Sequence, residues 1–351
     1  MDSAERVNAP IESSRLLTLL ERVGGRRVVV AGDVIADEFI YGEIARVSRE
    51  APVLILNYDS TEVVPGGAGN AATNVAALGG AARLAGLIGR DETGRRLIQS
   101  FREKHVDAGG ILRPPAYRTP TKTRILAGGI HSAKQQVVRI DRASSTTADD
   151  RTRKAFESRV LRVLRGCDAL LISDYGSGLV LPRLVARARR VLPARAPIVV
   201  DSRYNLMHFR GMTACTPNES EVESALGISI GDDPRTLERA GRAILRRTRA
   251  AAVLVTRGSR GMALFEPGRT AVHIPIVGSD QIADVTGAGD TVIATLTLAL
   301  SAGATFEEGA RLANYAGGLV VMKRGTATVS ASELRYAISD GAVGRPASMP
   351  R

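Results

Sequence analysis

Apolar residues along this chain fall into two alternating kinds of run. Short runs rich in Val, Ile and Leu, bounded by Gly or polar residues, occur at 27–31, 83–88, 169–173, 198–201, 252–256 and 262–265. They read as strands buried on both faces. Between and after them, helical patterns fall at 68–78, 93–105, 182–191, 219–225, 234–248, 289–302 and 306–322. The alternation predicts an α/β fold with a doubly wound, mainly parallel sheet covered by helices on both faces. Ligands of such sheets collect at the carboxyl ends of the strands. Two stretches break the pattern. Residues 41–64 contain the run 53–58 with no helix after it, and 119–142 read as a strand (122–127), a Gly128-Gly129 turn and a strand (136–140). A helix-free pair of this kind predicts a small separate β-sheet. Residues 143–150 form a Ser/Thr/Asp-rich linker back to the main unit, 1–24 are expected to be a helical extension, and the residues from 341 on a loose tail.

Candidate chemistry concentrates in Asp284-Val285-Thr286-Gly287-Ala288-Gly289-Asp290 and the apolar run behind it. Gly287, Ala288 and Gly289 make a turn that lets backbone approach a bulky ligand. The helix that follows aims its free N–H groups and positive dipole end into that turn, which suits a phosphate. Asp290 then stands where a base could take a proton from an attacking hydroxyl, a pattern that reads as phosphoryl transfer to an alcohol. A Gly-rich turn with a capping Asp is the alternative for this segment alone. A second Gly-rich segment, Pro65-Gly66-Gly67-Ala68-Gly69-Asn70, opens a helix whose Asn70 and Asn74 share one face and could meet sugar hydroxyls, with helix capping by Asn70 as the competing role. In Thr216-Pro217-Asn218-Glu219-Ser220-Glu221, Asn218 and Glu221 could hold a hydrated Mg²⁺, or simply form a capping box.

Composition narrows the field. A chain of 351 residues with 44% hydrophobic content can bury a sizeable core, and with no Trp and few aromatics that core must be aliphatic. Neither a signal peptide nor a membrane span is evident, and Cys167 and Cys215 read as isolated buried thiols, so a cytoplasmic protein is expected. The net charge of +12 raises nucleic-acid binding. The arginines, however, spread at helical spacing over several segments and lack aromatic companions for base stacking, so a general attraction for anionic substrates is the better reading. There is no GxxxxGK[ST], and the first strand is followed by Gly32-Asp33-Val34-Ile35 rather than GxGxxG, which excludes a P-loop kinase and a Rossmann dehydrogenase. The four histidines are unpaired in sequence.

Taken together, the three motif segments resemble the ribokinase-type (PfkB) carbohydrate kinases, from Val28 to about Ile338. Within that family the likeness is greatest to the kinases that phosphorylate D-glycero-D-manno-heptose 7-phosphate at C1. Gly32–Asp37, Arg46–Val53, Ser173-Asp174-Tyr175-Gly176 and 325–330 support it. Two departures remove lysines usual in those kinases: one near Ser177, and one where this chain has Asp201-Ser202-Arg203. The resemblance implies a ribokinase-like fold, residues 25–340 as one kinase domain, and segments 41–64 and 117–142 as a lid that pairs with a second subunit's lid in a homodimer. It places ATP near Thr256, Gly258, Gly261 and Asn314, with Mg²⁺ held through water near Asn218 and Glu221. The sugar would lie among Asp37, Gly66, Gly67 and Asn70, with Arg139 and Asp141 reaching down from the lid. A potassium ion near Asp284 and the 320–330 loop belongs to the same expectation. Lys122 and Arg124, with Arg46, Arg49 and Arg139, are the cations on the lid strands suited to a substrate phosphate. No His-x-Gly-His occurs, so the nucleotidyltransferase unit sometimes fused to the heptose kinases is expected to be a separate protein. A kinase for another sugar or a nucleoside, or a non-catalytic regulator on the same scaffold, are the alternatives; retention of Asp290 with both glycines favours the enzyme.

Overall fold

The computed structural model describes residues 11–128, 134–143, 148–277, 284–323 and 325–340. The tail from 341, residues 1–10, His131 and the centre of the 128–134 turn lie outside the described residues.

Helix α1 (Ser13–Arg22) precedes β1 (Arg27–Gly32), whose near-continuous apolar run is buried on both faces. The chain leaves the end of β1 directly into β2 (Val34–Val47), returns along β3 (Leu54–Gly67), and passes without a loop into α2 (Ala68–Ala77). After β4 (Ala81–Ala85) and α3 (Glu92–Glu103) come the hairpin strands β5 (Thr121–Gly128) and β6 (Gln135–Arg142). The remainder alternates: α4 (Asp150–Val163), β7 (Ala169–Asp174), α5 (Arg183–Arg189), β8 (Ile198–Ser202), β9 (Ala214–Cys215), α6 (Glu219–Leu226), α7 (Pro234–Thr248), β10 (Ala252–Thr256), β11 (Met262–Phe265), β12 (Val272–Ile274), α8 (Ala288–Ser301), α9 (Phe306–Val320) and α10 (Ala331–Asp340).

The main sheet has the order β12-β11-β10-β9-β8-β7-β1-β4. Its strands from β10 to β4 are parallel, and β11 and β12 add an antiparallel edge. Successive residues of one strand feed opposite cores. Val28 and Val30 join the layer formed with α2, α8 and α9, whereas Val29 and Ala31 join the layer formed with α4, α5 and α7. This is the reason the central strands read as unbroken apolar runs. A ribokinase-like α/β fold with a separate small sheet results.

The small sheet has the order β3-β2-β5-β6, with β2 central. It differs from the sequence reading in extent. The run 53–58 is only the first part of β3, and its partner β2 begins at Val34, inside a stretch quoted above for its motif rather than as a strand. Val34–Ala36 are buried against the main body while the far end of β2 is exposed, so the alternation expected of a half-buried strand is replaced by a gradient along its length. Two helices were absent from the periodicity reading. The first, α4, starts beside the polar linker, where Asp149 caps it by accepting from the N–H of Thr152 at 2.7 Å. The second, α10, follows Ser330, whose hydroxyl accepts from the N–H of Glu333 at 3.2 Å. Arginine-rich exposed faces diluted the apolar stripe of α4.

Candidate functional site

Asp290 lies in the first turn of α8, and only 3% of its surface is exposed. The residue before the helix, Gly287, has φ 80°, and a Cβ there would sit 2.5 Å from Asn70 Nδ2, so both conformation and space demand glycine. A Cβ on Gly289 would meet nothing within 4 Å; the room beside it belongs to the cavity it lines. Ala288, expected to share an anion-binding role with these two glycines, donates its N–H to the carbonyl of Val285 at 3.2 Å. The turn therefore offers its glycines, rather than all three residues, to the cavity.

The Asp290 carboxylate is held by two donors from other elements. Asn70 Nδ2 donates to Oδ2 at 2.9 Å, and the Tyr175 hydroxyl donates to Oδ1 at 3.3 Å. Asn70 is itself fixed: Asn74 Nδ2 donates to its Oδ1 at 3.2 Å, and Thr291 Oγ1 donates to Asn74 Oδ1 at 3.0 Å. A buried polar chain thus locks α2 to α8. The i, i+4 spacing of Asn70 and Asn74 was legible in the sequence; their partners Asp290 and Thr291 were not. Burial pushes the Asp290 carboxyl up to about 7, against the opposing pull of the Asn70 hydrogen bond; Asp37 adds to the rise, and Tyr175 and Lys122 oppose it.

Two cavities meet at Tyr175, and Asp290 lines the smaller. One, of about 250 Å³, is lined by Asp290, Gly287 and Gly289, by Asn218, Ser220 and Glu221 at the start of α6, and by Asp201, Arg203, Thr216 and Thr256 at strand ends. Asn218 and Glu221 form the capping box there: Asn218 Oδ1 accepts from the Glu221 N–H at 2.8 Å, and Glu221 Oε2 accepts from the Asn218 N–H at 2.9 Å. The capping role and exposure to the cavity coexist. Burial raises the Glu221 carboxyl, and burial together with neighbouring Glu221 and Asp290 raises Asp201 well above the usual carboxylate range. Arg203 is the cation among the lining residues, its guanidinium carbon 5.6 Å from the Tyr204 ring centroid.

The other expected nucleotide residues are placed unevenly. Thr256 lines the cavity, and Gly258 opens a single turn after β10. Gly261 packs against the carbonyl of Ile274, and Asn314 is buried with its Nδ2 donating to the Pro275 carbonyl at 2.7 Å. Both are engaged in holding the segment after β12.

The second cavity, about 390 Å³, lies between the main body and the small sheet. Lys122, Asp141 and Arg142 line it from the sheet, and Asp33, Tyr117, Tyr175 and Ser177 from below. Asp33 accepts from the Tyr175 N–H at 2.8 Å and from Ser177 Oγ, and burial pushes its carboxyl up to about 6. Lys122 sits with Nζ 5.5 Å from the Tyr175 ring centroid and is in no ion pair among the described residues; burial lowers its pKa. The other expected cations are occupied. Arg124 is paired with Asp37 at 2.5 Å, and Arg139 with Asp141 at 2.9 Å on a strand exposed along its whole length. Asp37 also accepts from Thr326 Oγ1 at 3.1 Å and packs against Gly66, where a Cβ would collide with its Oδ2; the backbone of Gly67 turns at φ 54° against the Tyr175 ring. Arg46 and Arg49 lie at the distal, exposed end of the sheet. Sequence reasoning missed Tyr175, Asp33 and Arg203 as lining residues. Their signal was position: each directly follows, or lies one residue beyond, a parallel strand's carboxyl end.

Comparisons with known proteins show the family and the fold. The family model described as "pfkB family carbohydrate kinase" matches residues 26–333. A relative from Geobacter sulfurreducens named "Bifunctional protein HldE" is 39% identical over 330 residues, covering 92% of this chain and 65% of its own length, so the chain spans about two thirds of that protein. Among solved structures, Arabidopsis thaliana ribokinase complexed with ribose and ATP aligns with TM-score 0.68 at 20% identity, over 90% of this chain and 99% of that one. Escherichia coli phosphofructokinase-2 in complex with fructose-6-phosphate aligns with TM-score 0.70 at 18% identity, over the same shares. This chain belongs to the pfkB family of carbohydrate kinases, enzymes that transfer a phosphoryl group to a sugar hydroxyl.

Proposed function

We propose that this kinase phosphorylates a sugar that already carries a phosphate, with C1 of D-glycero-D-manno-heptose 7-phosphate as the acceptor, giving the 1,7-bisphosphate used to build ADP-heptose for surface glycans. The observation that carries the reading is Lys122: a half-buried ammonium in no ion pair among the described residues, lining a cavity next to the base and ready for an anion. The bifunctional relatives of similar sequence favour it as well. Asp290 takes the proton of the attacking hydroxyl. The N–H groups around Gly287 and Gly289, with the Arg203 guanidinium, face the phosphates of ATP from the smaller cavity. Asn218 and Glu221 suit a Mg²⁺ that keeps most of its water: Glu221 has Oε1 beyond its capping bond, whereas Asn218 Oδ1 already accepts from both the Glu221 N–H and Ser220 Oγ and would reach the ion only through water. The ion would supply charge neutralisation on the phosphates. Asp284, which accepts from the N–H groups of Thr286 and Gly325, would border a potassium site. We further assign residues 25–340 to one kinase unit, segments 41–64 and 117–142 to a lid, and the protein to the cytoplasm as a homodimer clasped through the lids.

The test is a comparison of acceptors with ATP and Mg²⁺: heptose 7-phosphate, unphosphorylated heptose, ribose, fructose phosphates, tagatose phosphate and nucleosides. Heptose 7-phosphate should be preferred, and Lys122→Ala should raise its KM about 10-fold, the worth of one charged hydrogen bond, with little change in KM for ATP. Equal kcat/KM for the phosphorylated and free sugar would reject the phosphate pocket. The absent lysines at Ser177 and Arg203 would then mark a kinase for a neutral sugar.

A further inference from the structure

Tyr175 occupies the partition between the two cavities and lines both. Its place is set from several directions. The residue follows β7 at the carboxyl edge of the main sheet, where its N–H is taken by Asp33 at the end of the neighbouring β1. Gly176, at φ 85°, turns the chain away immediately afterwards and packs against the Tyr204 ring. The Tyr175 ring lies under Gly67, where a Cβ would come within 3.3 Å of Cε2, and under Lys122 Nζ. What this arrangement delivers is the phenol oxygen, 3.3 Å from Asp290 Oδ1.

We propose that Tyr175 is a positioning residue for the reaction: its hydroxyl, with Asn70 Nδ2 on the opposite oxygen, fixes the rotation of the Asp290 carboxylate so that the remaining lone pairs face the acceptor hydroxyl. The inference rests on Asp290 acting as the base. Two donors from α2 and from the end of β7 leave the carboxylate no free rotation about its Cβ–Cγ bond. The phenol cannot compete for the substrate proton. Burial, followed by the charges of Asp290, Asp201 and Asp37, raises its pKa well above the usual value for tyrosine, so it remains a donor. A donor to the ionised carboxylate also favours that form, which counteracts the burial that pushes Asp290 upward. The other charged groups facing Asp290 are Asp37 on β2, Lys122 on β5 and Asp201 on β8. All remain in Tyr175→Phe, which keeps the ring beneath Gly67 and Lys122 and deletes the hydroxyl alone.

Two measurements test the proposal. In ligand-free protein carrying ¹³C-carboxyl aspartate, the resonance lost in Asp290→Asn should titrate at higher pH in Tyr175→Phe than in the wild type, by about half a unit or more, the effect of losing one donor to a carboxylate. In steady-state assays with ATP, Mg²⁺ and heptose 7-phosphate, the acid limb of kcat/KM should move the same way. The plateau should fall about 10-fold, as for a hydrogen bond to a charged group, and KM for ATP should stay put. An unmoved titration overturns the proposal, as does a fall in rate that is equal at every pH and accompanied by a loss of Tm, because that would be a packing role. The reading beneath it fails separately: Asp290→Asn retaining near wild-type rate would remove Asp290 as base, whereas an inactive Asp290→Asn with an unmoved Tyr175→Phe titration removes only Tyr175.

Discussion

Asp290, the proposed base, is a carboxylate placed where ionisation is disfavoured, and its donors Asn70 and Tyr175 oppose that shift. Burial pushes it to about 7, and a base must be unprotonated to work, so kcat/KM should rise with pH and level off above about 7. Asp290→Asn should lower kcat by roughly 10²–10⁴-fold with ATP binding retained, the usual share of a general base; near wild-type turnover would show that another group takes the proton. The same burial has a consequence for stability. The folded-state pKa lies above the ordinary value of about 3.9. The stabilisation it brings is therefore complete below about 4 and lost as pH rises through about 7, because the folded state binds the proton more tightly. Calorimetry should find that Asp290→Asn raises Tm at pH 8 and changes it far less at pH 5. A lowered Tm at pH 8 would mean that the ionised carboxylate is a net contributor to the fold. Asp33, pushed to about 6 by burial, adds to the wild-type trend in the same direction.

Two helices with different sequence origins meet to make the site. The first turn of α2 supplies Asn70, and the first turn of α8 supplies Asp290; the bond between them at 2.9 Å depends on the turn at Gly287. Gly287→Ala would force a side chain into φ 80° and into Asn70 Nδ2. A left-handed conformation costs about 1–2 kcal/mol for a residue with a Cβ, and the collision displaces Asn70 from Asp290, the proposed base. Turnover should drop about 100-fold or more, as for loss of an oriented base, with a Tm lower by a few degrees. Gly289→Ala meets no protein atom, and it should leave Tm unchanged while weakening ATP, because the added methyl enters the cavity. A Gly289→Ala protein with wild-type KM for ATP would place the phosphates elsewhere.

At the scale of the molecule, the small sheet leaves an apolar face uncovered. Val47 and Tyr58 are 60% and 69% exposed, Val53 just before β3 is 55% exposed, and Leu54, Val138 and Ile140 are also exposed on the same sheet. Its outer strands β3 and β6 have free edges. Such a surface invites pairing with a second sheet. The proposed homodimer predicts a dimer mass by light scattering at micromolar concentration, and Val138→Glu with Ile140→Glu should return it to a monomer. A wild-type monomer at that concentration would reject the clasp. No helix among the described residues is long and apolar enough to cross a membrane.

Local information in the chain determined most of the element types and singled out the candidate base. Apolar runs this short and rich in β-branched residues read as strands buried on both faces, so the parallel sheet followed from β1, β7, β8 and β10. A Gly-Ala-Gly-Asp turn ahead of a helix admits a phosphate turn or a plain capped turn, and the two other motif segments favoured the first. Where partners are distant in sequence, the tertiary structure decided. Nothing local reveals that Arg124 is neutralised by Asp37, 87 residues away, or that Asn70 spends its amide on Asp290, 220 residues away. Charge type can be read from sequence, but whether a charge is free depends on what the fold brings beside it. For that reason the five candidate cations of the small sheet reduce to Lys122, and Tyr175, a single tyrosine after a strand, acquires its place only when the ends of β7, α2 and α8 converge.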